Sequence, residues 1–257
     1  MKIVFLGAGN LAIHLSKTLK SAGFEIVQVY SRTESSAGSL AGLLKVPYTT
    51  DVGDIVTNAS LYIISVSDDV VGTLAERLPL TDGLVVHTAG SVPMNIFAGK
   101  VTNYGVLYPF QTFSKIRPVN FSRIPVFLEA NTPENLQLLR DVAGIISDKV
   151  YLATSEERMQ LHLAAVFGCN FVNHLYHITA QITRQAGFKF EVLSQLILET
   201  AYKAIAFGNP QIVQTGPAVR GDRAVMNKHL EMLAAYPEWQ GIYEMLSKSI
   251  EEENKPQ

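Results

Sequence analysis

Three small residues near the N-terminus, Gly7, Gly9 and Ala12, are spaced as a phosphate cradle requires. Gly7 permits a tight turn and Gly9 leaves the backbone open to a ligand. Ala12 takes the place of a third glycine and is small enough for a helix to pack closely on a strand. Before them, residues 3–6 form an unbroken apolar run, short enough for a strand buried on both faces. After them, Leu11, Leu15 and Leu19 recur at helical spacing. A strand, a glycine turn and a helix N-terminus together aim backbone N–H groups at a pyrophosphate. Gly7, Ala8, Gly9, Asn10 and Leu11 are therefore the candidate dinucleotide contacts; the alternative is an ordinary turn between strand and helix.

The end of the next strand selects the cofactor. Units that bind NAD carry an Asp or Glu about 20 residues past the glycines, on the ribose 2′-OH. Here the strand ends Tyr30-Ser31-Arg32-Thr33. Arg32 can pair with a 2′-phosphate, and Ser31 and Thr33 can donate hydrogen bonds to it, which points to NADP (as NADPH). A solvated loop arginine is the competing explanation.

Further candidates fall at later strand ends. Val66 and Ser67 follow the strand at 61–66 and would offer cofactor contacts, while Asp68 and Asp69 read as helix caps. His87 ends the strand at 84–86 and suits a structural hydrogen bond better than acid–base work. Thr88 and Ser91 after it, and Gln111 after the strand at 104–107, look like substrate contacts. In the second half, His162, Asn170, Asn173, His174 and His177 interrupt an otherwise apolar helix. Spacings of three and four put positions 170, 173, 174 and 177 on one face. They are either buried amides serving helix or dimer contacts, or substrate groups. Of these, Asn170, Asn173, His162 and His174 are the catalytic candidates. No carboxylate accompanies His174 and His177, so no metal site is expected. Arg220 is the candidate anchor for a carboxylate or phosphate, unless it pairs with Asp222.

These residues need an architecture that gathers strand ends. Strands are expected at 24–30, 46–50, 61–66, 84–86, 104–107, 125–129 and 149–152. Helices are expected at 10–21, 36–44, 70–78 and 133–146, the last opened by Thr132 and Pro133. After residue 153 strand signals cease, and helices are expected at 155–186, 191–207, 223–235 and 237–252. The fold class is thus α/β: an N-terminal doubly wound nucleotide-binding sheet over residues 1–153, then an all-helical domain over 154–257. The helix at 155–186 is apolar nearly all round, as in the centre of a bundle or dimer.

Composition narrows the partners. With 21 basic and 23 acidic residues the net charge is -2, which offers no stripe for nucleic acid and no polybasic membrane patch. The single cysteine excludes an internal disulfide and suits a reducing, cytoplasmic setting. The N-terminus reads as a strand rather than a signal peptide, and no apolar run is long enough to span a bilayer. The polar tail at 251–257 is expected to fray.

The glycine turn, the Ser31-Arg32-Thr33 strand end and the helical second half resemble the superfamily of 6-phosphogluconate dehydrogenase, 3-hydroxyisobutyrate dehydrogenase and pyrroline-5-carboxylate reductase. The likeness is greatest to Rossmann-like NADP oxidoreductases with a C-terminal domain of unknown function. That group has stretches like Gly168-Cys169-Asn170-Phe171-Val172-Asn173-His174 and Thr215-Gly216-Pro217-Ala218-Val219-Arg220-Gly221-Asp222. The resemblance spans essentially the whole chain. It implies a homodimer joined through the helical domains, with a small-molecule substrate held between domains. Two departures matter. The Lys-x-x-x-Asn of hydroxyacid dehydrogenases is missing, since Val166 precedes Asn170 and Cys169 precedes Asn173. The paired threonines of the reductases are replaced, with Arg220-Gly221 in that region. The expectation is an NADP-dependent oxidoreductase acting on a small C=O or C=N compound that can bear a carboxylate. A non-catalytic NADP-binding sensor or scaffold remains the alternative.

Overall fold

The computed structural model describes residues 1–79 and 81–254. The last three residues of the polar tail, 255–257, lie outside that range. The chain divides into two compact units, Met1–Cys169 and Asn170–Gln257.

The first unit is built on strands β1 (Lys2–Leu6), β2 (Glu25–Tyr30), β3 (Tyr48–Thr49), β4 (Leu61–Ile64), β5 (Leu84–His87), β6 (Tyr104–Pro109), β7 (Val126–Ala130) and β8 (Val150–Leu152). They form a single sheet in the order β3-β2-β1-β4-β5-β6-β7-β8. All neighbours are parallel except β6 and β7, which run antiparallel with Tyr108 opposite Phe127. Parallel strands are covered on both faces, which is why Ile3, Val4, Phe5 and Leu6 are all fully buried. On one face lie helices α1 (Asn10–Ser21) and α2 (Glu34–Leu44), which pack Leu15, Leu19, Leu40 and Leu44 against Ile3, Phe5 and Ile63. The opposite face packs α3 (Asp68–Arg77) and two short 3-10 turns, through Val71, Leu74, Ile55 and Phe97, against Val4, Tyr62 and Val85. Helix α4 (Pro133–Ile146) joins the α1 face; Thr132 caps it by accepting the Asn135 N–H, and Pro133 presets its first turn. Because β1, β4, β5 and β6 are parallel, their carboxyl ends line one edge of the sheet, where open α/β sheets bind ligands.

Helix α5 (Ser155–Ala165) closes this unit. Its N-terminus is fixed by a reciprocal capping box, in which Thr154 accepts the Glu157 N–H and Glu157 accepts the Thr154 N–H. The helical path then continues without a break through a π-helical stretch, Val166–Phe171, into α6 (Val172–Gln185). The long helix expected from 155 is present, with a change of winding in its middle.

The second unit comprises α6, α7 (Ser194–Phe207), α8 (Arg223–Met232) and α9 (Pro237–Glu253). Gly208, in the left-handed region, ends α7, and Asp222 caps α8 by accepting the Val225 N–H. Tyr236 stacks on Trp239 with ring centroids 4.4 Å apart and receives a hydrogen bond from Gln185 at 2.8 Å. Little of this unit is buried: Ile178, Ala218 and Met226 are its buried apolar residues among those described. Phe188, Val192, Leu196, Tyr202, Ile205 and Phe207 are all exposed, Ile205 to 78%.

Candidate active site

The cradle at the end of β1 depends on two glycines for different reasons. Gly7 has φ +120°, and a Cβ there would lie 2.1 Å from the Ser65 carbonyl oxygen, so only glycine fits between β1 and β4. A Cβ on Gly9 would meet nothing within 4 Å; the glycine faces open space at the start of α1. No side chain caps α1, and its first turn holds no acidic residue. Its N-terminal N–H groups are thus directed at that space. Asn10 instead donates to the Phe113 carbonyl at 3.0 Å, tying the loop after β6 across the start of α1. These residues fit the pyrophosphate of a dinucleotide.

At the end of β2, Ser31 anchors its N–H on the Thr49 carbonyl at 3.3 Å and is half-buried. Arg32 is exposed and enters no ion pair among the described residues. Thr33 stands at the N-cap of α2 without making a side-chain cap. One carboxylate lies close by in sequence, Glu34 in the first turn of α2, and it accepts a hydrogen bond from the Tyr48 hydroxyl at 3.2 Å. That interaction raises the Tyr48 pKa, mainly through the hydrogen bond.

A denser polar cluster stands at the ends of β4, β5 and β6. Asp68, expected to cap α3, does something else: its carboxylate accepts the Ser91 hydroxyl. The N-cap position is Ser67, which makes no side-chain cap bond. Thr88 is buried and holds its backbone N–H on the Ile64 carbonyl at 3.1 Å. Tyr108, at the end of β6, has its hydroxyl 3.5 Å from Nδ1 of His162 on α5. Gly90 makes room for that pair, since a Cβ there would lie 2.6 Å from the Tyr108 oxygen and 3.1 Å from His162 Nδ1. Gln111 is exposed, and its side-chain oxygen accepts the neighbouring Thr112 N–H at 2.8 Å.

Arg158 holds this cluster in place. It is fully buried, pairs with Glu129 on β7 and donates from Nη2 to the Val92 carbonyl at 2.7 Å. Glu129 also receives the Ser155 hydroxyl at 2.9 Å, and Ser155 in turn accepts the Met94 N–H. The loop after β5 is thereby clamped at both Val92 and Met94. His87 is fully buried beneath it. Burial, and then the Arg158 charge, lower its pKa to about 3, with the Pro93 backbone opposing. Its Nδ1 accepts the Ala89 N–H at 3.2 Å, while Nε2 closes no hydrogen bond of good geometry. A histidine so strongly held neutral is a structural group rather than an acid at neutral pH.

In the second unit, Asn173, His174 and Arg220 are exposed. The His174 and His177 rings stack at 6.3 Å, as three-residue spacing on α6 requires. Asn170, also exposed, lies inside the π-helical stretch, and Phe171 after it has α-helical backbone angles. Asp222 is engaged as the α8 cap, and Arg220 forms no ion pair among the described residues. No group of three metal-binding side chains is found among the described residues, and no described helix is long and apolar enough to cross a membrane.

The first unit therefore brings Thr88, Ser91 and His162 to one sheet edge with the cradle residues Gly7 to Leu11, Val66 and Ser67. Tyr108, Asp68, Glu129 and Arg158 belong to the same cluster. Arg158 carried no sequence signal beyond its place in a charged first turn.

Residues 2–90 match the family described as NADP oxidoreductase coenzyme F420-dependent, and residues 124–250 match a domain of unknown function, DUF2520. A candidate NADP oxidoreductase from Bacteroides fragilis is 48% identical, with 98% of each chain covered and a TM-score of 0.91. A protein from Thermotoga maritima is 23% identical over 98% of each chain, with a TM-score of 0.70. Pyrroline-5-carboxylate reductase from Streptococcus pyogenes is 15% identical over 98% of each chain, with a TM-score of 0.65. The last two share the fold. No curated protein matches the chain.

Proposed function

This chain belongs to the family of the Bacteroides fragilis protein, with a Rossmann-type nucleotide-binding unit followed by a DUF2520 domain, and we propose that it is an NADP-dependent oxidoreductase. Its substrate is a small molecule with a C=O or C=N bond, a class that includes carboxylate-bearing acids. The observation that carries this reading is the uncapped α1 N-terminus behind an obligatory Gly7, together with an exposed Arg32 that enters no ion pair among the described residues. When bound, the reduced cofactor supplies hydride. Gly7, Ala8, Gly9, Asn10 and Leu11 hold its pyrophosphate, Ser31, Arg32 and Thr33 its 2′-phosphate, and Val66 and Ser67 the approach to its nicotinamide. Thr88, Ser91 and Gln111 position the substrate, and His162 serves proton transfer. Asn170, Asn173 and His174 orient the reacting group, and Arg220 anchors an anion; exposure and the absence of ion pairs support the latter.

The same proposal includes a homodimer formed through the second unit. Its support is the series of large apolar side chains on α7 that this chain leaves in water. The test of function is NADPH oxidation against keto acids, aldehydes and cyclic imines. Coenzyme F420 joins the panel because the matched family over residues 2–90 bears its name. Turnover abolished by Asn170→Ala with Arg220→Ala supports the site; turnover that survives both removes those residues from it. NADPH binding without turnover of any panel member favours the sensor reading instead.

A further inference from the structure

The proposed reaction needs a proton donor, and the lysine that supplies chemistry in hydroxyacid dehydrogenases has no counterpart here, Val166 and Cys169 standing at its possible places. The cluster at the sheet edge offers a phenol in that role. Resting on the oxidoreductase reading, we propose that Tyr108 is the proton donor to the substrate heteroatom and that His162 returns the proton to it.

Placement is the first argument. Tyr108 stands one residue before the end of β6, beside β5 and its Gly90-Ser91 loop, at the carboxyl edge that also carries Gly7 and Gly9. Its ring is held by edge-on contact with Phe110 at 5.9 Å and by Phe127 at 6.5 Å, so the hydroxyl has a fixed direction. That hydroxyl lies over Gly90, where a side chain would expel it. Pairing is the second argument. His162 Nδ1 stands 3.5 Å away, the outer limit of a hydrogen bond, and such bonds commonly tighten when substrate binds. Either partner can donate, according to which ring nitrogen carries the proton. His162 is itself half-buried and so retains access to solvent. The charged groups around the phenol are Asp68 from α3 and Arg158 from α5. Burial first, and Asp68 second, raise the Tyr108 pKa, with Arg158 opposing. The phenol therefore stays protonated through the neutral range.

A reduced nicotinamide dinucleotide, when bound, would supply hydride to the substrate carbon, and the π pair of the C=O or C=N bond would then move to the heteroatom. That pair takes the Tyr108 proton, the O–H bond breaks, and phenolate remains. Protonated His162 gives its Nδ1 proton to the phenolate, and the neutral imidazole regains one from water. The chain ends the cycle unchanged.

The test uses the full chain and Tyr108→Phe, which keeps the ring packing and removes only the hydroxyl. In ligand-free protein, the His162 imidazole nitrogen resonances, assigned through His162→Gln, should shift on Tyr108→Phe; identical resonances overturn the pairing. NADPH affinity should stay within about twofold, while turnover of the panel member that the wild type reduces should fall by about 10²- to 10⁴-fold. Turnover kept within about threefold overturns the assignment to Tyr108 alone. A wild type inactive on the whole panel overturns the oxidoreductase reading as well.

Discussion

The two units of this chain solve the problem of burial differently. In the first, the sheet is covered on both faces over β1, β4 and β5, which are buried along nearly their whole length. Even its charged Arg158 is fully enclosed and paired. In the second, no residue of α7 is buried, although α7 is as rich in apolar residues as a core helix. The first unit encloses a continuous core within one chain, whereas the second leaves most of its large apolar side chains exposed. If the proposed dimer forms through the second unit, damage to the first unit should appear as unfolding and damage to the second as lost association.

The largest effect is expected at Arg158. Replacing it with Met leaves Glu129 without its partner and releases the Val92 carbonyl. Thermal and urea unfolding should show a loss of about 3–5 kcal/mol. Adding Glu129→Gln should restore part of it, because the uncompensated charge is then gone. A single variant as stable as wild type would mean that the first unit does not depend on its enclosed ion pair.

The next effect concerns the second unit. Leu198→Arg with Ile205→Arg, seven residues apart, places two charges on one exposed face of α7. Sedimentation should show self-association weakened by about 100-fold or more, given about 1.5–3 kcal/mol for each buried aliphatic side chain. The first unit should keep its unfolding transition. Unchanged association would remove α7 from the interface; simultaneous collapse of both units would contradict their separability.

A smaller effect follows from His87. Its pKa of about 3 in the folded chain lies below the ordinary 6.5, so the unfolded chain binds more protons between these values. Stability is therefore full above about pH 6.5 and declines as pH falls toward 3. Between pH 6.5 and 5 the decline due to this residue should be about 1.5 kcal/mol. In His87→Phe that part of the slope should vanish; an equal slope in both proteins would assign it to other groups.

How much of this was legible in the sequence depended on whether the determinant was local. The boundaries of α1 and α4 follow from Gly9 and from Thr132-Pro133, which act within one turn. β6 extends past the expected 107 to Pro109 because its antiparallel partner β7 continues the pairing to Val126, which no local pattern announces. The glycine cradle was readable because backbone geometry imposes residue type. The Tyr108, His162 and Gly90 arrangement was not, since it joins three separate stretches of chain. Asp68 looked like a cap because Asp before an apolar helix usually is one; only the fold places Ser91 within its reach. The π-helical stretch at Val166–Phe171 was not legible either, because no local residue pattern announced the change of winding.

The proposed binding of NADP at the sheet edge rests on the α1 N-terminus and Arg32. It is tested most directly by titrating the protein with NADPH and with NADH, following nicotinamide fluorescence, in wild type and in Arg32→Ala. Binding of NADPH should be tighter by about 10-fold or more, the worth of a charge-assisted hydrogen bond to the 2′-phosphate. In Arg32→Ala the two affinities should converge. Equal affinities in the wild type, or no binding of either dinucleotide, would contradict the account.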